Sequence, residues 1–134
     1  MCLMLMLVAC NDRPVAPAQL PAPIQSFVQQ HFPGQTISYA QKDISLFGTD
    51  YEVLLMDGTT IDFDRKNMWD KIDGKMMPLP ATVIPPAIAN HVATNFPSIG
   101  IVKIDKERYG YDVELANDIE LKFNKQGALI GMDD

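Results

Sequence analysis

Residues 51–73, YEVLLMDGTTIDFDRKNMWDKID, are written a second time at the end of the chain as YDVELANDIELKFNKQGALIGMD, residues 111–133. Tyr51, Val53, Leu55, Phe63 and Asp73 recur as Tyr111, Val113, Leu115, Phe123 and Asp133, all at an offset of 60 (111 − 51). Both copies alternate apolar and polar residues with period two, the pattern of strands with one packed and one wet face. A segment of this length copied inside one small domain means two similar halves.

Working outward, each copy is preceded by a helical period. Ile24, Phe27, Val28 and Phe32 fall at helical spacing. Pro21 and Pro23 stand where a helix start tolerates proline, and Pro33-Gly34 stops the helix. The second helix starts at Ile84-Pro85-Pro86, runs from Ile88 to Phe96 and stops at Pro97, an offset of 64 (88 − 24). The first half therefore carries four more residues (64 − 60), placed in 44–49 (ISLFGT) against Arg108-Tyr109-Gly110, which reads as a longer loop. After each helix the sequence predicts a first strand (36–43 and 101–107), two alternating strands, and a last strand (68–73 and 128–133). Asp57-Gly58 predicts a two-residue type I′ hairpin, with Asn117-Asp118 in the same place. Asn67 and Gly127 occupy equivalent turn positions that favour the left-handed conformation.

Each half is thus one helix and an antiparallel meander of four strands. A single half is near the lower size limit for an independent core. The expected fold is therefore α+β: two tandem repeats, 20–76 and 77–134, forming one continuous sheet of about eight strands with both helices on one face. Residues 75–83 cross between the halves and are expected to hold a short helical turn.

The chain has 134 residues, 47% of them apolar and 21% charged, which is globular composition. A net charge of −6 with scattered basic residues excludes a nucleic-acid-binding domain. Both cysteines, Cys2 and Cys10, lie in the first ten residues, so the body has no disulfide. Residues 1–9, MCLMLMLVA, are apolar but fall short of the roughly 20 residues a spanning helix needs. They suit the apolar region of a signal peptide, although the usual positive flank is missing. Leu7-Val8-Ala9-Cys10 resembles a bacterial lipobox, in which Cys10 would carry the lipid. The Pro/Ala-rich linker that follows, to residue 19, favours an extended chain. The expected location is the bacterial cell envelope, with the membrane reached only through this anchor.

Phe32-Pro33, Tyr51-Glu52-Val53, Asp57-Gly58-Thr59, Phe63-Asp64, Asn67-Met68-Trp69 and Ile84-Pro85-Pro86-Ala87-Ile88 follow in order, and the round then begins again. In that order and duplication the chain resembles the PepSY-like family of small bacterial periplasmic proteins and lipoproteins, from about residue 20 to the carboxyl terminus. The resemblance implies a fold like that of beta-lactamase-inhibitory protein. It implies no catalytic residues and no cofactor.

Chemistry-bearing residues are few. His31 and His91 are the only histidines, and they do not align: His91 matches Phe27, and His31 matches Asn95. Both read as helix-surface or stripe-edge residues rather than a metal or acid/base pair. Asp62 and Asp64 share one strand face and could hold a hard cation, although a solvated face is the simpler reading. There is no phosphate loop, zinc spacing or hydrolase triad order. Leu54, Met56 and Trp69 break the polar alternation, rimmed by Glu52, Asp62, Asp64 and Lys71. Apolar anchors with a polar rim mark an interaction face. The expected function is a non-enzymatic, exported lipoprotein that binds or inhibits another envelope protein through this face; the alternative is a small-ligand or cation sensor. No metal site or cofactor is expected.

Overall fold

The computed structural model describes residues 12–134, so the expected signal peptide (1–9) and Cys10 lie outside the described residues. The elements in chain order are β1 (Asp12–Pro14), α1 (Ala22–His31), β2 (Ile37–Ser45), β3 (Gly48–Leu55), β4 (Thr60–Phe63), β5 (Trp69–Asp73), α2 (Pro86–Asn95), β6 (Ile101–Glu107), β7 (Gly110–Leu115), β8 (Glu120–Asn124) and β9 (Leu129–Asp133). Short 3-10 turns precede both helices, at Pro17–Gln19 and Ala81–Val83. The strands are ordered β1 to β9 in one open antiparallel sheet. That is one strand more than the alternation predicts. The added strand is β1, three residues with no periodic signal, pairing Asp12↔Asp43, Arg13↔Lys42 and Pro14↔Gln41. The extended habit of the proline-rich segment is realised here as an edge strand, where Pro14's missing donor costs least.

The chain divides into two compact units, the first ending at Asp70 and the second running from Lys71 to Asp134. The division falls inside β5 because its last residues pair with β6, Lys71↔Asp105 and Ile72↔Ile104.

In the first unit α1 buries Ile24 and Val28, with Leu20 and Phe32 just beyond its ends. The sheet face buries Ala40, Val53, Leu55, Ile61 and Phe63. Phe27 of α1 meets Phe63 edge-on, with ring centroids 5.5 Å apart, so helix and sheet close one core. Each fully buried aliphatic or Phe side chain contributes roughly 1.5–3 kcal/mol. The second unit repeats the plan with Ile88 and Val92 on α2 against Ile72, Ile104, Val113, Leu115, Leu121 and Phe123. Here His91 meets Phe123 edge-on at 5.4 Å, the contact Phe27 makes in the first copy. His91 is thus an edge-of-core ring standing in for a phenylalanine.

Two local expectations are corrected. The β3–β4 connection is a three-residue loop rather than a two-residue type I′ turn. Gly58 N donates to Leu55 O at 3.0 Å, Leu55 N donates to Thr59 O at 2.9 Å, and of the Asp57-Gly58 pair only Gly58 has positive φ. A turn followed by one left-handed residue gives the strands their twist with a single strained position. Asp118 (φ 72) takes that position between β7 and β8.

The four extra residues of the first half are not a longer loop. Both hairpins have two-residue tips, Leu46-Phe47 beyond the pair Ser45↔Gly48 and Arg108-Tyr109 beyond Glu107↔Gly110. Asp43↔Asp50 corresponds to Glu107↔Gly110, so the insertion adds two residue pairs to the ladder, Ile44↔Thr49 and Ser45↔Gly48. An even insertion shared equally between two strands lengthens a hairpin without flipping its faces.

Candidate functional site on the open face of the first unit

Opposite the core, the pairing register of the first unit builds two rows of polar side chains. One row is Asp12↔Asp43↔Asp50, across β1, β2 and β3. The other, two residues along, is Gln41↔Glu52↔Asp62, across β2, β3 and β4. With Asp70 they line a shallow cavity of about 280 Å³, together with Tyr51 and Phe63. Six of the chain's 17 acidic residues line it, and no lysine or arginine does. Like charges directly opposite in a ladder destabilise it by a few tenths to about 1 kcal/mol per pair. Within it Gln41 Nε2 donates to Glu52 Oε1 at 2.9 Å.

The second unit is wired differently. Asp62 is replaced by Lys122, which lies 3.3 Å from Asp112, the residue in Glu52's place. Tyr109 Oη donates to the same Asp112 oxygen, and Lys122 Nζ lies 3.3 Å from Tyr109 Oη. The Asp112 bond and then burial hold the Tyr109 phenol above its ordinary range, with Lys122 working against them; the bonds to Tyr109 and Asp112 raise Lys122. Asp105, in Gln41's place, has a buried Oδ1 with no hydrogen-bond partner, and burial raises its pKa against the pull of Lys71 and Lys103. The second copy sets a lysine beside Asp112; the first sets Asp62 opposite Glu52.

The structure distributes the expected residues unevenly. Glu52 and Asp62 face each other in register and line the cavity. Leu54 is half-buried between Tyr39 and Thr60. Met56 is 67% exposed but sits in the β3–β4 loop rather than on the strand. Trp69 is the half-buried first residue of β5. Lys71 lies in the second unit, opposite Asp105. Asp64 does not join Asp62 as a ligand pair. Its Oδ1 accepts from Lys66 N (2.8 Å) and Met68 N (3.0 Å), tying the β4–β5 turn as Asn124 ties the β8–β9 turn. His31 lies against Phe27 with the rings tilted and their centroids 4.5 Å apart. Among the described residues no three His, Cys, Asp or Glu converge as a metal cage, and no helix is long and apolar enough to cross a membrane.

Asp43, Asp50 and Asp70 are legible in the sequence as acidic strand or turn residues, but their convergence is not. A two-residue tip at Leu46-Phe47 would have given the Asp43↔Asp50 pairing by counting back from Ser45↔Gly48. Asp12 leaves no signal, because nothing in its neighbourhood announces β1.

The fold is shared. The family described as "Putative beta-lactamase-inhibitor-like, PepSY-like" matches residues 6–47 and 49–131. A crystal structure of a "putative periplasmic protein" of the DUF2874 family from Bacteroides vulgatus is 34% identical with a TM-score of 0.87, covering 94% of this chain and 99% of that one. A "putative calcium-regulated periplasmic protein" from Bacteroides thetaiotaomicron is 34% identical with a TM-score of 0.86, over 92% of this chain and 98% of its own. A second Bacteroides vulgatus structure, a "putative periplasmic protein of unknown function", is 31% identical at a TM-score of 0.84, over 92% and 99%. Comparison with functionally curated proteins gives no match. The doubled helix-and-meander sequence, the sheet it builds and these matches agree: the chain belongs to the PepSY-like, beta-lactamase-inhibitor-like family.

Proposed function

We propose that the chain is a non-catalytic binding module of the bacterial envelope, and that its working surface is the acidic open face of the first unit. The partner that fits is a basic segment of another envelope protein. The observation that carries this reading is the pair of facing carboxylate rows, Asp12↔Asp43↔Asp50 and Glu52↔Asp62, lining a cavity that no lysine or arginine lines, where the second copy has Lys122 in Asp62's place. A fold that keeps like charges face to face gives up stability that a cationic partner returns. Leu54, Met56 and Trp69 serve in this reading as apolar contacts beside the charged surface, with Lys71 at its margin. The periplasmic description of the related structures supports an envelope location, and lipidation at Cys10 is the proposed anchor.

The test uses the purified chain and a lysine-rich peptide in isothermal titration. Binding should weaken steeply as salt is raised and fall by about tenfold or more in Asp43→Asn/Asp50→Asn/Asp62→Asn. Equal affinity of the parent and the neutralised variant would remove the proposal. Metabolic labelling with a fatty acid, lost in Cys10→Ser, tests the anchor separately.

A second reading, response to a divalent cation, is favoured by the description of the Bacteroides thetaiotaomicron relative as calcium-regulated. The carboxylates are spread along two rows rather than gathered in a cage, which fits weak binding, in the range of about 10⁻⁴–10⁻³ M typical of extracellular calcium modules. Calcium should then raise the melting temperature of the parent chain and not of the neutralised variant. A parent chain indifferent to calcium would exclude this second reading.

A further inference from the structure

The added two residue pairs of the β2–β3 hairpin carry its tip about 7 Å further out than the β6–β7 tip reaches in the other copy. What stands there is apolar. Leu46 is 98% exposed and Phe47 75% exposed, with Ile44 partly exposed behind them. Scattered exposed apolar residues are ordinary, but two consecutive ones at the end of a lengthened ladder are not scattered.

The tip is also held in shape. Phe47 N donates to Ser45 Oγ at 3.2 Å, and that hydroxyl donates to Gly48 O at 3.1 Å. The Arg65 guanidinium lies 5.7 Å from the centre of the Phe47 ring, within reach of a cation–π contact. Arg65 and its neighbour Lys66, both exposed, belong to the β4–β5 turn. A side chain fixed before binding loses less freedom on insertion.

The groups therefore follow an order along the hairpin. Leu46 and Phe47 stand outermost, cations lie beside them at Arg65, and the Asp43↔Asp50 pair lies two residue pairs behind. A phospholipid surface with zwitterionic headgroups has the same order by depth: acyl chains, then phosphate, then the outlying ammonium. Apolar and aromatic tips settle at the acyl boundary, and Arg and Lys reach phosphates while their stems stay in apolar surroundings. A strongly anionic surface suits this tip less well, because Asp43 and Asp50 would be brought up against it. We infer that the Leu46-Phe47 tip docks on a zwitterionic phospholipid surface, with Arg65 and Lys66 meeting phosphate and Asp43 and Asp50 meeting the ammonium layer. This docking shares Asp43 and Asp50 with the open face, but its apolar anchor, Leu46-Phe47, stands apart from the surface proposed for the basic partner.

The test is flotation of the full chain with vesicles of phosphatidylcholine and phosphatidylethanolamine, against phosphatidylglycerol-rich vesicles. Residues 1–9 are apolar and present in every variant, so the difference between variants is what counts. Leu46→Ser/Phe47→Ser should lower vesicle binding by about tenfold or more while leaving the melting temperature and lysine-peptide titration unchanged. In a Trp69→Phe background, the indole introduced by Phe47→Trp should shift its fluorescence to the blue on vesicle addition and be quenched by brominated acyl chains. Undiminished vesicle binding by the serine variant, or an indole at the tip that is neither shifted nor quenched, overturns the proposal. Tighter binding to the phosphatidylglycerol-rich vesicles overturns the assigned headgroup chemistry.

Discussion

Glu52 and Asp62 stand directly opposite each other on β3 and β4, and at the corresponding place in the second copy Lys122 lies 3.3 Å from Asp112. One difference between the repeats, aspartate against lysine, exchanges a carboxylate facing a carboxylate for an ion pair. The strand register around it is the same in both, Tyr51↔Phe63 and Tyr111↔Phe123. This exchange lies in side chains that the core does not need.

Asp62→Lys should therefore stabilise the protein. It replaces a carboxylate facing Glu52 with the ammonium that the second copy uses, and the gain should be about 0.5–1 kcal/mol at low salt. Lys122→Asp should destabilise it, and both effects should shrink as salt screens the pairs. Paired thermal or urea melts of the two variants at low and high ionic strength check this.

Gly110 and Gly58 both adopt positive φ (150 and 96), but a side chain at each meets different surroundings. A Cβ at Gly110 would lie 2.1 Å from the Phe123 carbonyl oxygen, whereas at Gly58 nothing lies within 4 Å. Gly58→Ala should cost about 1–2 kcal/mol from backbone strain alone. Gly110→Ala should cost more than about 4 kcal/mol, because β8 must move away. Denaturant midpoints of the two variants give the comparison.

His91→Phe should add about 1 kcal/mol. It restores at Phe123 the aromatic pair that Phe27 makes with Phe63. What it loses is a long side-chain contact between His91 Nδ1 and Asn95, 3.4 Å. Chemical denaturation measures the gain, and a loss of stability would show that the ring nitrogens matter to the fold.

Asp105 gives the pH dependence a sign. Burial raises its folded-state pKa above the ordinary value of 3.8, with Lys71 and Lys103 opposing. The native state then holds the proton more tightly than the unfolded chain does. Stability therefore falls as pH rises from the ordinary carboxylate range through the raised value, and the deficit is complete above it. Asp105→Asn should raise the melting temperature by a few degrees near neutral pH, on the order of 1 kcal/mol given partial exposure. The gain should vanish below the ordinary carboxylate range, as melting curves across pH will show.

Much of the fold can be read from the chain because the core positions are duplicated. Val53, Leu55 and Phe63 recur as Val113, Leu115 and Phe123, and all six are buried. The same comparison explains His91 through Phe27. The hairpins are harder. The four inserted residues of 44–49 read equally well as loop or ladder, since an insertion that divides evenly between strands leaves the alternation intact on both sides. The candidate site is legible only in part. Glu52 and Asp62 follow from alternation on adjacent strands, whereas the spacing of Asp64 misleads, because side-chain capping of a turn and ligand pairing use the same residue types.

The sequence alone determined the repeat, the helix ends, the packed face of each strand and the family resemblance, because these depend on local period and on residues close in the chain. Tertiary pairing decided what those faces carry. Asp12 lies 31 positions (43 − 12) from Asp43, and Asp43 meets Asp50 only because the tip is two residues long. Register converts separate acidic residues into rows, and register is set by turn geometry and long-range ladder pairing rather than by composition.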